Sequence, residues 1–234
     1  MTKRQIIAMG GGGFSMEPDN LALDRYILEQ AQKPDPKICF LPTASGDADG
    51  YILNFYKAFT PLKCAPSFLS LFNLPTADLE GFILEKDIFY VGGGNTRSML
   101  ALWREWGLDQ LLFKAYQAGV ILAGVSAGAN CWFEECITDS LPGDLQALAA
   151  CLGYLKGSFC PHYDSEPKRR PSYQAMIQKG SIQDGFAADD GAAVHFVDEQ
   201  LIHQVSSRTE AKVYQVFRSN AGVQEKILDA RYLD

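Results

Sequence analysis

Histidine is scarce in this sequence: only His162, His195 and His203 occur among 234 residues. Any reaction that needs an imidazole base therefore has few places to find one. Paired thiols are missing as well. The six cysteines, Cys39, Cys64, Cys131, Cys136, Cys151 and Cys160, form no C-x-x-C pair, which argues against zinc frameworks and dithiol redox motifs, so no metal is expected. They read instead as small, buried, reduced side chains. No apolar run approaches the roughly 18–20 residues of a membrane span. The basic start Met1-Thr2-Lys3-Arg4 is followed by an apolar stretch that stops at Gly10, too early for a signal-peptide core. A cytoplasmic protein without membrane contact is expected. Positive charge is also short, with 21 Lys and Arg against 28 Asp and Glu for a net charge of −7. Such a balance repels polyphosphate, so nucleic acid is not an expected partner. The one dense basic cluster, Lys168-Arg169-Arg170, could hold a single carboxylate.

What the chain does have is core-forming material, 47% hydrophobic against 21% charged residues. That suits one globular domain spanning 1–234. The first half alternates short apolar runs with helix-like segments, the pattern of a parallel sheet between helical layers. Strands are expected at 5–9, 37–41, 65–71, 87–91 and 120–125, and helices at 21–32, 49–62, 96–106 and 108–118. The second half reads as short strands at 155–159, 185–188, 192–197, 200–204 and 211–218, with a helix at 170–179. The stretch 194–213 resembles an antiparallel meander at the edge of the sheet.

Three glycine-rich turns follow strands: Gly10–Gly13, Gly92–Asn95 and Gly124–Asn130. The first lacks the third glycine of a dinucleotide fingerprint, because positions 15 and 16 are Ser and Met, and no turn continues into a P-loop. No organic cofactor is implied. In a doubly wound fold these turns gather at the carboxyl ends of the strands, where ligand sites form. Gly124-Val125-Ser126-Ala127-Gly128 matches the G-x-S-x-G nucleophile elbow, after an apolar strand and before a small-residue helix start. Ser126 is the candidate nucleophile, with tight helix capping as the plainer role. Its base is His162, on the proline-bounded turn Cys160-Pro161-His162-Tyr163-Asp164. His195 and His203 read as sheet histidines. The orienting acid is Asp190 or Asp189, held between two strands, with Asp139 and Asp164 as alternatives.

On these segments, together with Leu41-Pro42-Thr43-Ala44-Ser45, Gly92-Gly93-Gly94-Asn95-Thr96 and Pro161-His162, the chain resembles peptidase family S51, which includes dipeptidase E and cyanophycinase. The resemblance implies a three-layer α/β/α sandwich with a mostly parallel sheet, related to class I glutamine amidotransferases, with serine in place of their cysteine. It implies Ser126 as nucleophile, His162 as base, and oxyanion donors among the backbone amides of Gly93, Gly94 and Ala127. The dipeptidase E turn Pro-Glu-Gly-Asn is here Ala188-Asp189-Asp190-Gly191, so Asp190 matches with a shorter side chain, and Asp139 corresponds approximately to another family aspartate. Preference for an N-terminal aspartate in small peptides would need a cation, for which Arg169 or Arg170 is the candidate, with Asn95 also binding substrate. Beyond a small peptide, the partners expected are at most further copies of the chain. Two other readings stand beside this one: an α/β-hydrolase esterase using a later histidine, His195 or His203, and a non-catalytic small-molecule binder of the same fold.

Overall fold

A computed structural model describes residues 3–234. In chain order the strands are β1 (Gln5–Met9), β2 (Lys37–Leu41), β3 (Ala65–Phe68), β4 (Ile88–Val91), β5 (Ile121–Val125), β6 (Phe133–Thr138), β7 (Gln146–Ala149), β8 (Leu155–Cys160), β9 (Gly185–Ala188), β10 (Ala192–Val197), β11 (Gln200–Ser206), β12 (Val213–Ser219), β13 (Gly222–Leu228) and β14 (Arg231–Tyr232). The helices are α1 (Ala22–Gln30), α2 (Asp49–Phe59), α3 (Leu79–Leu84), α4 (Thr96–Glu105), α5 (Leu108–Gln117), α6 (Ala127–Asn130) and α7 (Arg169–Lys179).

The strands form two sheets. The larger has the order β14-β11-β10-β1-β5-β4-β2-β3. Its β1, β5, β4, β2 and β3 run parallel, and β10 and β11 extend it antiparallel beyond β1. Both faces are covered, so its strands read as continuous apolar runs rather than as alternation. Ile7 and Met9 pack with α1 and α2 on one face, whereas Ile6 and Ala8 join α4 and α5 on the other. This is the class I glutamine amidotransferase-like α/β/α arrangement.

The second sheet, β13-β12-β9-β8-β6-β7, was not anticipated as a separate layer. Its Phe133, Cys136 and Phe159 share the second core of the large sheet, while α7 covers its far side through Tyr173 and Ile177. The expected antiparallel meander at 194–213 is present as the β10–β11 hairpin beyond β1 and ends at Val213, where β12 of the other sheet begins. The strand read at 185–188, β9, also lies in that other sheet. Consecutive strands β9 and β10 thus lie in different sheets, and the chain crosses between them at Asp189-Asp190-Gly191.

Beneath the first glycine turn, Phe14 sits 5.2–5.7 Å, centroid to centroid, from the rings of Phe40, Tyr51, Phe55, Phe59 and Tyr90. Each such pair adds about 0.5–1.5 kcal/mol beyond burial. The cluster fixes α2, and with it Tyr51, against the ends of β2 and β4. Among the described residues, no helix is long and apolar enough to cross a membrane.

Candidate active site

Ser126 stands between β5 and α6 with φ 56° and ψ −114°, a conformation that L residues rarely adopt and that persists only where the surroundings enforce it. Its neighbours supply that enforcement. The Ser126 amide donates to the Met9 carbonyl at 3.2 Å. A methyl group on Gly124 would lie 2.1 Å from the Gly128 carbonyl oxygen, and one on Gly128 would lie 2.2 Å from that of Val91. Both glycines of the G-x-S-x-G motif are thus required by backbone contact. The Ala127 amide, first in its helix, has no intrahelical acceptor.

His162 follows β8 and itself has a positive φ of 53°. Its Nδ1 lies 2.6 Å from Asp190 Oδ1, and both side chains are buried. Burial pushes the Asp190 carboxyl upward, but hydrogen bonds to His162 and Ser165, with the charges of His162 and Arg208, outweigh it and hold the group below its ordinary range. Asp164 accepts the Asp190 backbone amide at 2.9 Å and so supports the acid from behind. Asp189 faces the other way, taking the Lys212 amide at 2.9 Å while its Oδ1 is buried without a partner. Burial and the neighbouring Asp164 raise it to about 6.

The first glycine run has a steric purpose at this pair. A methyl group on Gly11 would lie 2.0 Å from Asp190 Oδ1 and 3.0 Å from His162 Nδ1. The turn gives way so that the histidine and carboxylate can meet.

Ser126 and His162 face one cleft of about 400 Å³, lined also by Ser15, Met16, Tyr51, Asn54, Gly93 and Val125. Of the other expected site residues, Asp139 is exposed and pairs with Arg169 at 3.5 Å rather than with His162. Asn95 is spent on structure: its Oδ1 caps α4 through the Ser98 amide, and its Nδ2 donates to the Ser140 carbonyl. Arg169 is buried, donating to Glu166 at 2.6 Å and to the Ile137 carbonyl at 3.3 Å. Arg170 binds Glu225 and lies over the rings of Tyr163 and Tyr214 at 5.3 and 5.1 Å. Neither guanidinium lines the cleft. The Gly94 backbone passes the Ala44 carbonyl so closely that a methyl group would lie 2.2 Å from its oxygen, and the Gly93 amide donates to the Tyr51 hydroxyl at 3.1 Å.

The esterase alternative loses its histidines. His195 is buried on β10 between the Tyr26 hydroxyl at 2.7 Å and Gln5 at 3.1 Å, and burial first, then His203, lowers it to about 4. It lines, with His203, a separate groove that contains neither Ser126 nor His162. Tyr51, Asn54, Ser15 and Met16 were not singled out from the sequence. The available signal was position, because α2 and the Gly13–Ser15 turn follow parallel strands at their carboxyl ends.

Comparison with known proteins bears on the family and the fold. The sequence profile described as Peptidase family S51 matches residues 6–204. The Bacillus subtilis (strain 168) protein called Uncharacterized peptidase YgaJ is 57% identical over 230 residues, 98% of this chain and 99% of that protein. Peptidase E of Streptomyces coelicolor is 29% identical over 133 residues, 56% of this chain and 53% of that protein. The crystal structure of a peptidase from an acI-B1 Actinobacterium superposes with a TM-score of 0.71 at 18% identity, covering 97% of this chain and 94% of that one. This chain belongs to peptidase family S51 and is a serine-type peptidase.

Proposed function

We propose that Ser126, His162 and Asp190 form the catalytic triad of a peptidase acting on small peptides. The observation that carries this reading is the buried His162–Asp190 hydrogen bond, made by a histidine that shares the Ser126 cleft. With Nδ1 held by the carboxylate, Nε2 is the nitrogen left to take the Ser126 proton as Oγ attacks the scissile carbonyl. The same nitrogen returns that proton to the departing amine, and water then hydrolyses the acyl-enzyme through the same base. Asp190, kept ionised by its partners, stabilises the imidazolium between these steps.

The preference for an N-terminal aspartate depended on a free guanidinium at Arg169 or Arg170, and both are paired with carboxylates elsewhere. The cleft itself carries no lysine or arginine and offers Met16, Tyr51 and Val125 as apolar surface. A neutral residue at the scissile carbonyl fits that lining better than an aspartate, whose desolvated charge would meet no cation. Whether the enzyme acts as a dipeptidase or an aminopeptidase, its substrates are short peptides, and we assign it to the cytoplasm, where its free cysteines are at home.

The test is labelling with a fluorophosphonate followed by a dipeptide screen. Wild type should label and Ser126→Ala should not, and Leu-Xaa or Ala-Xaa should be cleaved at least as fast as Asp-Xaa. A folded wild type that neither labels nor cleaves would sink the triad. A tenfold preference for Asp-Xaa that disappears in Arg170→Ala would restore the aspartyl specificity.

A further inference from the structure

The resemblance places the Gly93 amide among the oxyanion donors, but that amide is already committed. It donates to Tyr51 Oη at 3.1 Å, and Tyr51 lines the same cleft as Ser126. The contact lies close to the nucleophile: a methyl group on Gly93 would lie 3.3 Å from Ser126 Cβ and 3.8 Å from its Oγ.

For the Gly93 amide to reach a substrate oxygen, the tyrosine would have to leave. Its ring is wedged, at 5.5 Å from Phe14 and 5.0 Å from Phe40, and so close to the chain that a methyl group on Gly92 would come within 2.9 Å of its Cε1. Moving it would open a cavity inside a packed aromatic cluster, a cost that binding would have to offset. Staying in place requires nothing. A phenol oxygen that accepts an N–H still has its own hydrogen to give, and the accepted bond polarises that hydrogen. Burial raises the Tyr51 phenol above its ordinary range, so it retains this proton at neutral pH. The neighbouring hydroxyl of Ser15 donates to the Gly12 carbonyl at 2.9 Å and also hydrogen-bonds the phenol, so it is the group from which the Tyr51 hydrogen turns to a substrate oxygen.

We propose, resting on the triad reading above, that the Tyr51 hydroxyl is a catalytic oxyanion donor, with the Ala127 amide as its counterpart and the Gly93 amide as the group that aims and polarises it. As Ser126 Oγ bonds to the carbonyl carbon and the π pair moves onto oxygen, Tyr51 donates a hydrogen bond to that oxygen. Its proton stays on the phenol. When the tetrahedral intermediate collapses, the pair re-forms the carbonyl and the amine leaves with the proton from His162.

The experiment compares wild type with Tyr51→Phe on the fastest-cleaved dipeptide, with Ser126→Ala as the blank. Loss of one oxyanion donor should lower kcat about 10²–10³-fold and leave KM within about threefold. Affinity for the peptide aldehyde, which forms a tetrahedral adduct on Ser126, should fall in proportion, while inhibition by the free-acid product should not change. Replacing Tyr51 with 3-fluorotyrosine, which keeps the donor, should preserve kcat and aldehyde affinity, and it tests the proposal even where the phenylalanine variant folds poorly. An unchanged or increased kcat in Tyr51→Phe would overturn the proposal and return the role to the Gly93 amide. Equal losses of aldehyde and product affinity would also overturn it, by reducing Tyr51 to a structural part. If Ser126→Ala keeps the wild-type rate, the triad fails and this assignment fails with it, whatever Tyr51→Phe does.

Discussion

The two sides of the cleft are held by different forces. Ser126 sits on the large sheet in a conformation imposed by backbone packing, with Gly124 and Gly128 pressed against carbonyl oxygens. His162 and Asp190 belong to the second sheet and to the crossover leaving it, and charge holds them: Asp164 behind the acid, Ser165 beside it, and the Arg208–Glu17 pair nearby. A site built in this way can fail on one side by crowding and on the other by a change of protonation. Those failures should be separable.

The largest effect is expected from breaking the charged side while leaving its shape. Asp190→Asn should keep the fold but free His162 to take the wrong tautomer, lowering kcat about 10⁴-fold. Steady-state rates on the best dipeptide, with thermal melts alongside, measure this, and a loss below about tenfold would mean that another acid orients His162. A steric insult aimed at the same pair should have the next largest effect. Gly11→Ala pushes a methyl group into the His162–Asp190 hydrogen bond, and a displacement of about 1 Å there should cost about 10²-fold in kcat. Gly50→Ala, whose added methyl group meets nothing within 4 Å, is the matched control and should leave the rate unchanged.

The smallest effect concerns the neighbouring carboxylate. Asp189 is raised to about 6 in the folded chain, against an ordinary 3.8. The native state therefore holds a proton that the unfolded state has released, and stability falls as pH rises from about 4 to about 6, then levels off. Asp189→Asn can still accept the Lys212 amide and carries no charge, so it should flatten that dependence and be more stable than wild type at pH 8 by up to about 2 kcal/mol. Urea unfolding at pH 4.5 and pH 8 tests the sign. Activity at pH 8 should change less than about threefold, and a large loss of kcat would assign Asp189 a part in the reaction.

Much of the large sheet could be read from the chain because each of its elements is local. Gln5–Met9, Lys37–Leu41 and the Gly124–Gly128 elbow are contiguous runs whose composition matches their burial. The second sheet was harder to read. Phe133–Thr138 begins three residues beyond the short helix after Ser126 and carries two glutamates, which masked it as a strand. Leu79–Leu84 is too short for helical periodicity to declare itself. At the site, Ser126 and His162 were named through turn chemistry and scarcity. The pairing of Arg170 was not legible because its partner Glu225 lies on β13, far downstream, and no local pattern announces a long-range ion pair. Tyr51 went unnoticed for a similar reason, since its hydroxyl acquires meaning only where Gly93 and Ser126 face it.

The bridge between Gly11 and Asp190, closed by the Gly191 amide on the Gly11 carbonyl at 3.1 Å, also gives the chain an order of events. During synthesis the serine emerges well before its base, and the base before its acid. The last connection is made only when the crossover after β9 docks against a turn from the very beginning of the chain. On the proposed triad, hydrolytic competence would be withheld from the nascent polypeptide until its early and late segments have joined.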